Sequence, residues 1–325
     1  MNDAEHVISY WYEKEIYNNT VVDAFVIILN TVGCIFRENK KCTMCGYVND
    51  VSKTPINKED LIKQIRNVIK HYKGEKIVKI YTSGSFLDEH EIPADIRSWI
   101  ISNFHNAKKI IIESRPEFIT EKNILPLLEP EQKIYIAIGL ESSSDYIRRV
   151  FINKSFSFKQ FCIKADLIHK LGGYVKTYLI LKPPFLSEYD AIADTIKSVL
   201  DSFKYSDEIS INPVNIQKNT IVEELFHHLR YRSPWLWSVV EVIKTTHSFV
   251  NIPIISSPTG GGSLRGAHNC FNCDKTVLNA IDKFSLHQDI SIFDDIDCSC
   301  RPVWQVDKNI SKFNLTSGYW SYQHH

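Results

Sequence analysis

Seven of the eight cysteines fall into two groups: Cys34, Cys42 and Cys45 near the start, and Cys270, Cys273, Cys298 and Cys300 near the end. Cys162 stands alone between them. Clustered thiols in a chain expected to be intracellular point to metal ligands or reactive groups rather than disulfides. For the first group the informative number is three. A structural zinc site takes four ligands, and so does a cluster that only carries electrons. A cube of four irons held by three thiolates leaves one iron for a non-protein ligand. The amino and carboxylate groups of S-adenosylmethionine (SAM) suit that iron. One electron passed to the sulfonium breaks a C–S bond, and the resulting 5′-deoxyadenosyl radical takes hydrogen from an unactivated carbon. Two other readings remain open from residue type alone: half of a zinc site completed by the late group, or buried, inert thiols.

The late group reads Cys270-Phe-Asn-Cys273 and Cys298-Ser-Cys300. Four thiolates at two short spacings can enclose one tetrahedral zinc and thereby contribute folding energy. An auxiliary iron–sulfur cluster is the rival, His268 is a candidate to replace one thiol, and two disulfides are the minor option. Cys162, beside Phe158, Phe161 and Ala165 on a helical pattern, reads as core.

The elements that must position these groups follow from hydrophobic periodicity. Apolar runs at Ala24–Leu29, Lys76–Tyr81, Lys109–Glu113, Lys133–Gly139, Tyr174–Leu181 and Glu208–Asn212 read as six strands. Helical patterns alternate with them. One begins at Asn57 with Asp60 three residues on; another runs from Phe158 to Leu171 and stops at Gly172; a third starts at Ser187 with a core face of Ile192, Ile196 and Leu200. Six strand–helix units argue for an α/β fold with a parallel sheet, and their length falls short of a closed eightfold barrel. The expectation is a partial (βα)6 barrel over residues 21–231, an N-terminal helical segment over 1–20, and an irregular C-terminal extension over 232–325 carrying the late cysteines. No strand leads into a dinucleotide fingerprint, and Gly260-Gly261-Gly262 lacks the Gly-Lys-Ser/Thr of a phosphate loop.

Lys+Arg and Asp+Glu both number 38, which gives no net charge, and 44% of residues are hydrophobic. That excludes a disordered chain and a polybasic coat for nucleic acid. No apolar run reaches the roughly 20 residues of a membrane span, and the first residues have no signal-peptide character, so the expectation is a soluble cytoplasmic protein without membrane contact. Locally, residues 147–176 hold Arg148, Arg149, Lys154, Lys159, Lys164, Lys170 and Lys176 against Asp166. This stretch is either a phosphate-facing stripe or an ordinary solvated helix face.

The spacing Cys34-x7-Cys42-x2-Cys45 resembles the radical-SAM superfamily, and its widened first gap resembles the branch of the elongator catalytic subunit. Cys42-Thr-Met-Cys45-Gly-Tyr47 with Asn49-Asp50, and Arg232-Ser-Pro-Trp235-Leu-Trp237-Ser-Val-Val-Glu-Val, look like the radical-SAM subunit of archaeosine synthase. The resemblance implies a [4Fe-4S] cluster on the first three cysteines and SAM on the open iron. Ser83-Gly84-Ser85 is similar to the family's turn at the SAM amino group, and Glu141 stands where an acid often holds the ribose. Met44 replaces a common aromatic, so Tyr47 becomes the candidate for the adenine face. Glu113-Ser114-Arg115-Pro116 resembles a stretch of the same branch; Arg115 could grip a carboxylate with Glu113 orienting it, or form a rim salt bridge. Lys182, on the active face at the end of its strand, is a candidate for an acidic substrate group, and Lys176 lies on the far side.

The implied reaction is cleavage of the lysine carbon–nitrogen bond of a lysine-adducted 7-deazaguanine in tRNA, leaving archaeosine. The implied partners are that tRNA, a lysine-transferring archaeosine synthase subunit and an electron donor. The alternatives are another radical-SAM tRNA modification of the elongator type and a non-catalytic zinc-binding adapter.

Overall fold

The computed structural model describes residues 3–37, 41–52 and 55–312; residues 313–325 of the expected extension lie outside them. Two compact units result. The first holds Met1–Lys41, Gly46–Gly139 and Lys159–Lys176; the second holds Cys42–Cys45, Leu140–Phe158 and Thr177–His325.

In the first unit, strands β1 (Ser9–Tyr17) and β2 (Thr20–Ile28) form an antiparallel hairpin. The helix expected over residues 1–20 is therefore corrected to a strand. Aromatic and β-branched side chains favour the pleated conformation. Asn18 and Asn19 both take positive φ, 48° and 58°, as the two-residue turn that matches strand twist requires. Beyond the hairpin, β2 pairs in parallel with β3 (Ile77–Tyr81), β3 with β4 (Lys109–Glu113), and β4 with β5 (Lys133–Glu141). Their apolar runs are buried: Phe25, Ile27, Ile80, Ile110 and Ile112 have no exposed surface.

Helix α1 (Lys58–Val68) opens on a reciprocal Asn57–Asp60 capping box, as the spacing predicts. Short helices α2 (Ala94–Ser102) and α3 (Glu121–Ile124) follow. Helix α4 (Phe158–Leu171) ends before Gly172, whose φ of 92° suits glycine alone. Its buried face is Phe161, Ala165 and Ile168; Cys162 is half-buried at the margin rather than within the core.

Four residues inside this unit contradict the apolar look of their strands. Glu15 on β1 meets Lys79 on β3, Lys109 on β4 (3.3 Å) and Lys176 at the start of β6 (Tyr174–Leu181; 4.0 Å). All four side chains are under 10% exposed. Lys79 also reaches Glu13 at 2.6 Å, and Lys109 stands over the Tyr135 ring.

The second unit contains the rest of β6, then α5 (Glu188–Ser202), β7 (Glu208–Pro213), α6 (Ile221–His227) and α7 (Leu236–His247). After these come β8 (Ile254–Ile255), parallel to β7, and helices α8 (Asp274–His287) and α9 (Arg301–Ser311). Ser187 caps α5 by accepting from the Asp190 N–H at 3.1 Å. On α5, Leu200 is 38% exposed, so the core face runs through Ile192, Thr195 and Val199 instead. The chain beyond residue 232 is more regular than expected, because α7, α8 and α9 all lie there. The six expected strands are β2 to β7, and β1 and β8 are added to them among the described residues.

Candidate cofactor and metal sites

In the first unit, the loop after β2 carries Thr31, Gly33 and Cys34. Gln64 of α1 donates to the Asn30 carbonyl and accepts from the Asn30 N–H, both at 2.9 Å, which fixes the loop's root. Thr31 Oγ1 donates to Glu91 Oε2 at 2.8 Å, while Glu91 Oε1 accepts from the Ser85 N–H at 2.5 Å. One buried carboxyl thus joins the Cys34 loop to the turn after β3. Burial pushes Glu91 up to about 7, against the hydrogen bonds from Thr31 and Ser85. Gly84 lies in that turn. A Cβ there would stand 1.9 Å from Glu91 Oε1 and 2.7 Å from the Cys34 nitrogen, so the close approach needs glycine.

The next strand end joins the same group. Ser85 Oγ accepts from the Arg115 N–H at 3.1 Å, and the Phe86 N–H donates to the Glu113 carbonyl at 2.8 Å. Arg115 donates to Glu117 at 2.6 Å and stacks on Phe36, two residues past Cys34, at 4.1 Å. The first unit therefore gathers Cys34, Gly84, Ser85, Glu113 and Arg115, with Ser83 buried in the same turn. Tyr47 lies in a short turn over Tyr47–Asp50 and is 54% exposed. Glu91 was not foreseen. The only sequence signal is an acidic stretch after the Ser-Gly-Ser turn, and nothing there marks which acid is buried.

The second unit holds Cys42 and Cys45. The Cys45 N–H donates to the Cys42 carbonyl, and Thr43 between them is pinned to the Phe151 and Ile152 carbonyls, at 2.7 and 3.0 Å. Cys34, Cys42 and Cys45 are each half-buried, none of them a core thiol. Glu141, at φ 66°, pairs with Lys154 at 2.7 Å. Lys182, at φ 63°, pairs with Glu188 of α5 at 2.7 Å.

Cys270, Cys273, Cys298 and Cys300 bring their sulfurs within 4.8 Å of one another. The recorded separations are 3.8 Å (Cys270–Cys273), 3.7 Å (Cys270–Cys298) and 3.7 Å (Cys273–Cys300). With metal–sulfur bonds of about 2.3 Å, the edge of a tetrahedron of thiolates is about 3.8 Å. The set therefore fits one four-coordinate ion. Thiolates bound to four separate irons of a cube stand farther apart. No disulfide links these four, and His268, buried and bonded to the Gly266 carbonyl at 2.8 Å, is not among them. Because the late four close on themselves, they do not need the early trio to complete a zinc site.

Structure also resolves the basic stretch. Arg148 is fully buried, with its guanidinium on the Ser142 and Phe156 carbonyls and Asp145. Lys154 and Lys176 are buried in ion pairs, and Lys164 donates to the Ile119 carbonyl at 2.8 Å. A continuous phosphate-facing stripe is therefore absent. No described helix is long and apolar enough to cross a membrane.

No family model matches the chain. It is 39% identical to archaeosine synthase subunit beta of Methanosarcina acetivorans over 93% of this chain and 90% of that protein. Among solved structures, methylornithine synthase aligns over 73% of this chain and 65% of its own, with a TM-score of 0.51 at 15% identity. Streptococcus suis SuiB, solved with S-adenosylmethionine, aligns over 71% of this chain and 49% of its own, with a TM-score of 0.50 at 10% identity. These likenesses support the partial-barrel α/β fold expected from the strand–helix alternation.

Proposed function

The chain belongs to the archaeosine synthase subunit beta family, a radical-SAM, tRNA-modifying lineage, and from that membership we propose that it cleaves a carbon–nitrogen bond in a lysine-adducted 7-deazaguanine of tRNA. When bound, a [4Fe-4S] cluster and SAM supply a 5′-deoxyadenosyl radical that takes hydrogen from an unactivated carbon. Cys34, Cys42 and Cys45 are the three cluster ligands in this reading. The observation that supports it is the closure of the late four thiols on one another, which leaves the early cysteines outside that site.

The other residues divide by charge and place. The Ser83-Gly84-Ser85 turn, held against the Cys34 loop by Glu91, offers small polar groups to the SAM ammonium. Arg115, stacked on Phe36, is suited to a carboxylate, with Glu113 beside it. Glu141 is assigned to the ribose hydroxyls and Tyr47 to the adenine face. Lys182 is assigned to the carboxylate of the lysine adduct, which is anionic at neutral pH. The late thiols hold one zinc ion. A second subunit that attaches the lysine, and a one-electron donor, complete the system; with no net charge, the chain has little long-range attraction for RNA by itself.

The test is anaerobic incubation with SAM, a reductant and lysine-adducted tRNA, read by mass analysis of the nucleosides. Archaeosine together with 5′-deoxyadenosine is the expected result. 5′-Deoxyadenosine with unaltered tRNA would reject the substrate and keep the radical chemistry. Metal analysis should give about four irons and about one zinc per chain.

A further inference from the structure

We propose that the late four-thiolate site anchors Lys182, and that Glu188 is the positioning residue through which it does so. The arrangement is built within the second unit. Helices α8 and α9 take Cys273 and Cys300 as their N-caps, so one ion on these thiolates ties two helix starts together. The first turn of α7 is bonded to the same thiolates. Trp237 Nε1 donates to Cys300 Sγ at 3.3 Å, Asn269 Nδ2 donates to Cys273 Sγ at 3.4 Å, and the Trp237 N–H donates to Asn269 Oδ1 at 3.2 Å. Arg232 completes the clamp, stacked on Trp235 at 3.9 Å and donating to the His268 and Asn269 carbonyls.

From that turn the contacts run to Glu188. Its Oε1 accepts from the Trp235 N–H at 3.0 Å and from Ser238 Oγ at 2.5 Å, and Ser238 Oγ in turn accepts from Trp304 Nε1 of α9 at 2.9 Å. Oε2 is then directed to Lys182 Nζ at 2.7 Å. Tyr231 Oη donates to the Lys182 carbonyl at 2.6 Å, holding a left-handed backbone that a lysine rarely adopts. The Glu188 side chain is 1% exposed and that of Lys182 10%. A buried pair of this kind is weak evidence for stability, because desolvation offsets the attraction. Its value here is a fixed ammonium. The Arg232–Ser238 stretch thereby acquires a physical role, since Arg232 and Trp237 bond the cysteine-bearing segments while the Trp235 N–H and Ser238 bond Glu188.

That the fixed ammonium meets a substrate carboxylate rests on the proposed function; the anchoring itself does not, so the two are tested apart. Anchoring is read by trace reductive methylation of the zinc-loaded protein, with peptide mass analysis of Lys182 normalised to Lys108, which is half-exposed. Trp237→Phe removes the N–H to Cys300 and keeps an aromatic side chain. Lys182 should then label on the order of tenfold faster, equivalent to about 1.4 kcal/mol of lost restraint. Chelating the zinc from the unaltered protein should do the same, which covers the case in which the variant does not fold. Glu188→Gln should also release the lysine, and Glu188→Asp should restore part of the protection. In turnover, each release should raise KM for the lysine-bearing tRNA more than it lowers kcat. Unchanged Lys182 labelling in Trp237→Phe, or in the chelated protein should that variant not fold, would overturn the anchor. Failure of the wild-type protein to convert the tRNA would instead remove the substrate reading and leave the labelling result standing.

Discussion

Replacing Glu15 with glutamine removes the anion that Lys79, Lys109 and Lys176 share inside the first unit. The substitution conserves shape and takes away one charge, so the cost is electrostatic. At an effective dielectric of 20, the recorded separations of 3.3 Å to Lys109 and 4.0 Å to Lys176 correspond to gross attractions of about 5 and 4 kcal/mol. Much of that offsets the desolvation of the lysines. Breaking a buried pair from one side costs about 3–5 kcal/mol net, and Glu13, 34% exposed, is a partial substitute for Lys79 only. For 325 residues, unfolding entropy of about 2.1 cal/mol/K per residue turns this into a Tm lowered by about 4–7 °C. Scanning by circular dichroism measures it. The lysines also hold the Glu15 carboxyl well below its ordinary 4.5, although burial alone would raise it. The unfolded chain therefore binds a proton near pH 4.5 before the folded chain does. The stabilisation is complete above that pH and is lost as pH falls through the folded value, so Glu15→Gln should flatten the acid limb of the stability curve. Adding Lys109→Met should recover part of the lost Tm. A Tm within a degree of wild type, or no recovery with Lys109→Met, would refute the charge argument.

On the proposed function, Cys42→Ala should abolish 5′-deoxyadenosine formation while leaving about one zinc per chain, because the late thiols lie close enough together to take one ion without it; retained SAM cleavage would show that this loop does not bind the cluster. Gly84→Ala drives a methyl into the Cys34 backbone and Glu91, so iron incorporation on reconstitution should fall well below wild type, as read by iron analysis and absorbance. Glu91, raised to about 7 by burial, disfavours the folded state increasingly as pH climbs from its unfolded 4.5 through 7. Glu91→Gln should therefore weaken the decline of stability over that range, as judged by denaturant midpoints at pH 5 and 8.

The strands were legible because their apolar runs are continuous, and a sheet covered by helices imposes that pattern. Helix starts were legible at Asn57 and Ser187, where a side chain caps its own backbone within four residues. The β1–β2 hairpin could have been read from Asn18-Asn19 between alternating segments, but the charged Glu13, Lys14 and Glu15 gave the stretch the look of a surface helix. Glu15 is the instructive residue. A buried charge is allowed only where partners from β3, β4 and β6 meet it, and those partners are 64 to 161 residues away. Local sequence contains no trace of that meeting.

The same reasoning separates the two cysteine groups. For the late four, pairwise spacing within each half suggested metal binding, yet only the sulfur–sulfur distances distinguish one ion from a cube. For Arg148, Lys154 and Lys176, residue type suggested a face for phosphate, and burial assigns each of them to an internal partner instead. Composition counts charges without regard to whether they face water. The distinction matters for RNA recognition, because a lysine already neutralised by a buried carboxylate releases no counterion from a nucleic acid. With the stretch reduced to Arg149, Lys159, Lys164 and Lys170, of which Lys164 is bonded to a neutral carbonyl and still charged, its contribution to the salt dependence of tRNA binding should be at most about four phosphates' worth, a slope near −3 for a single strand. A change of that slope by clearly more than about three units when those four residues are substituted would refute this limit.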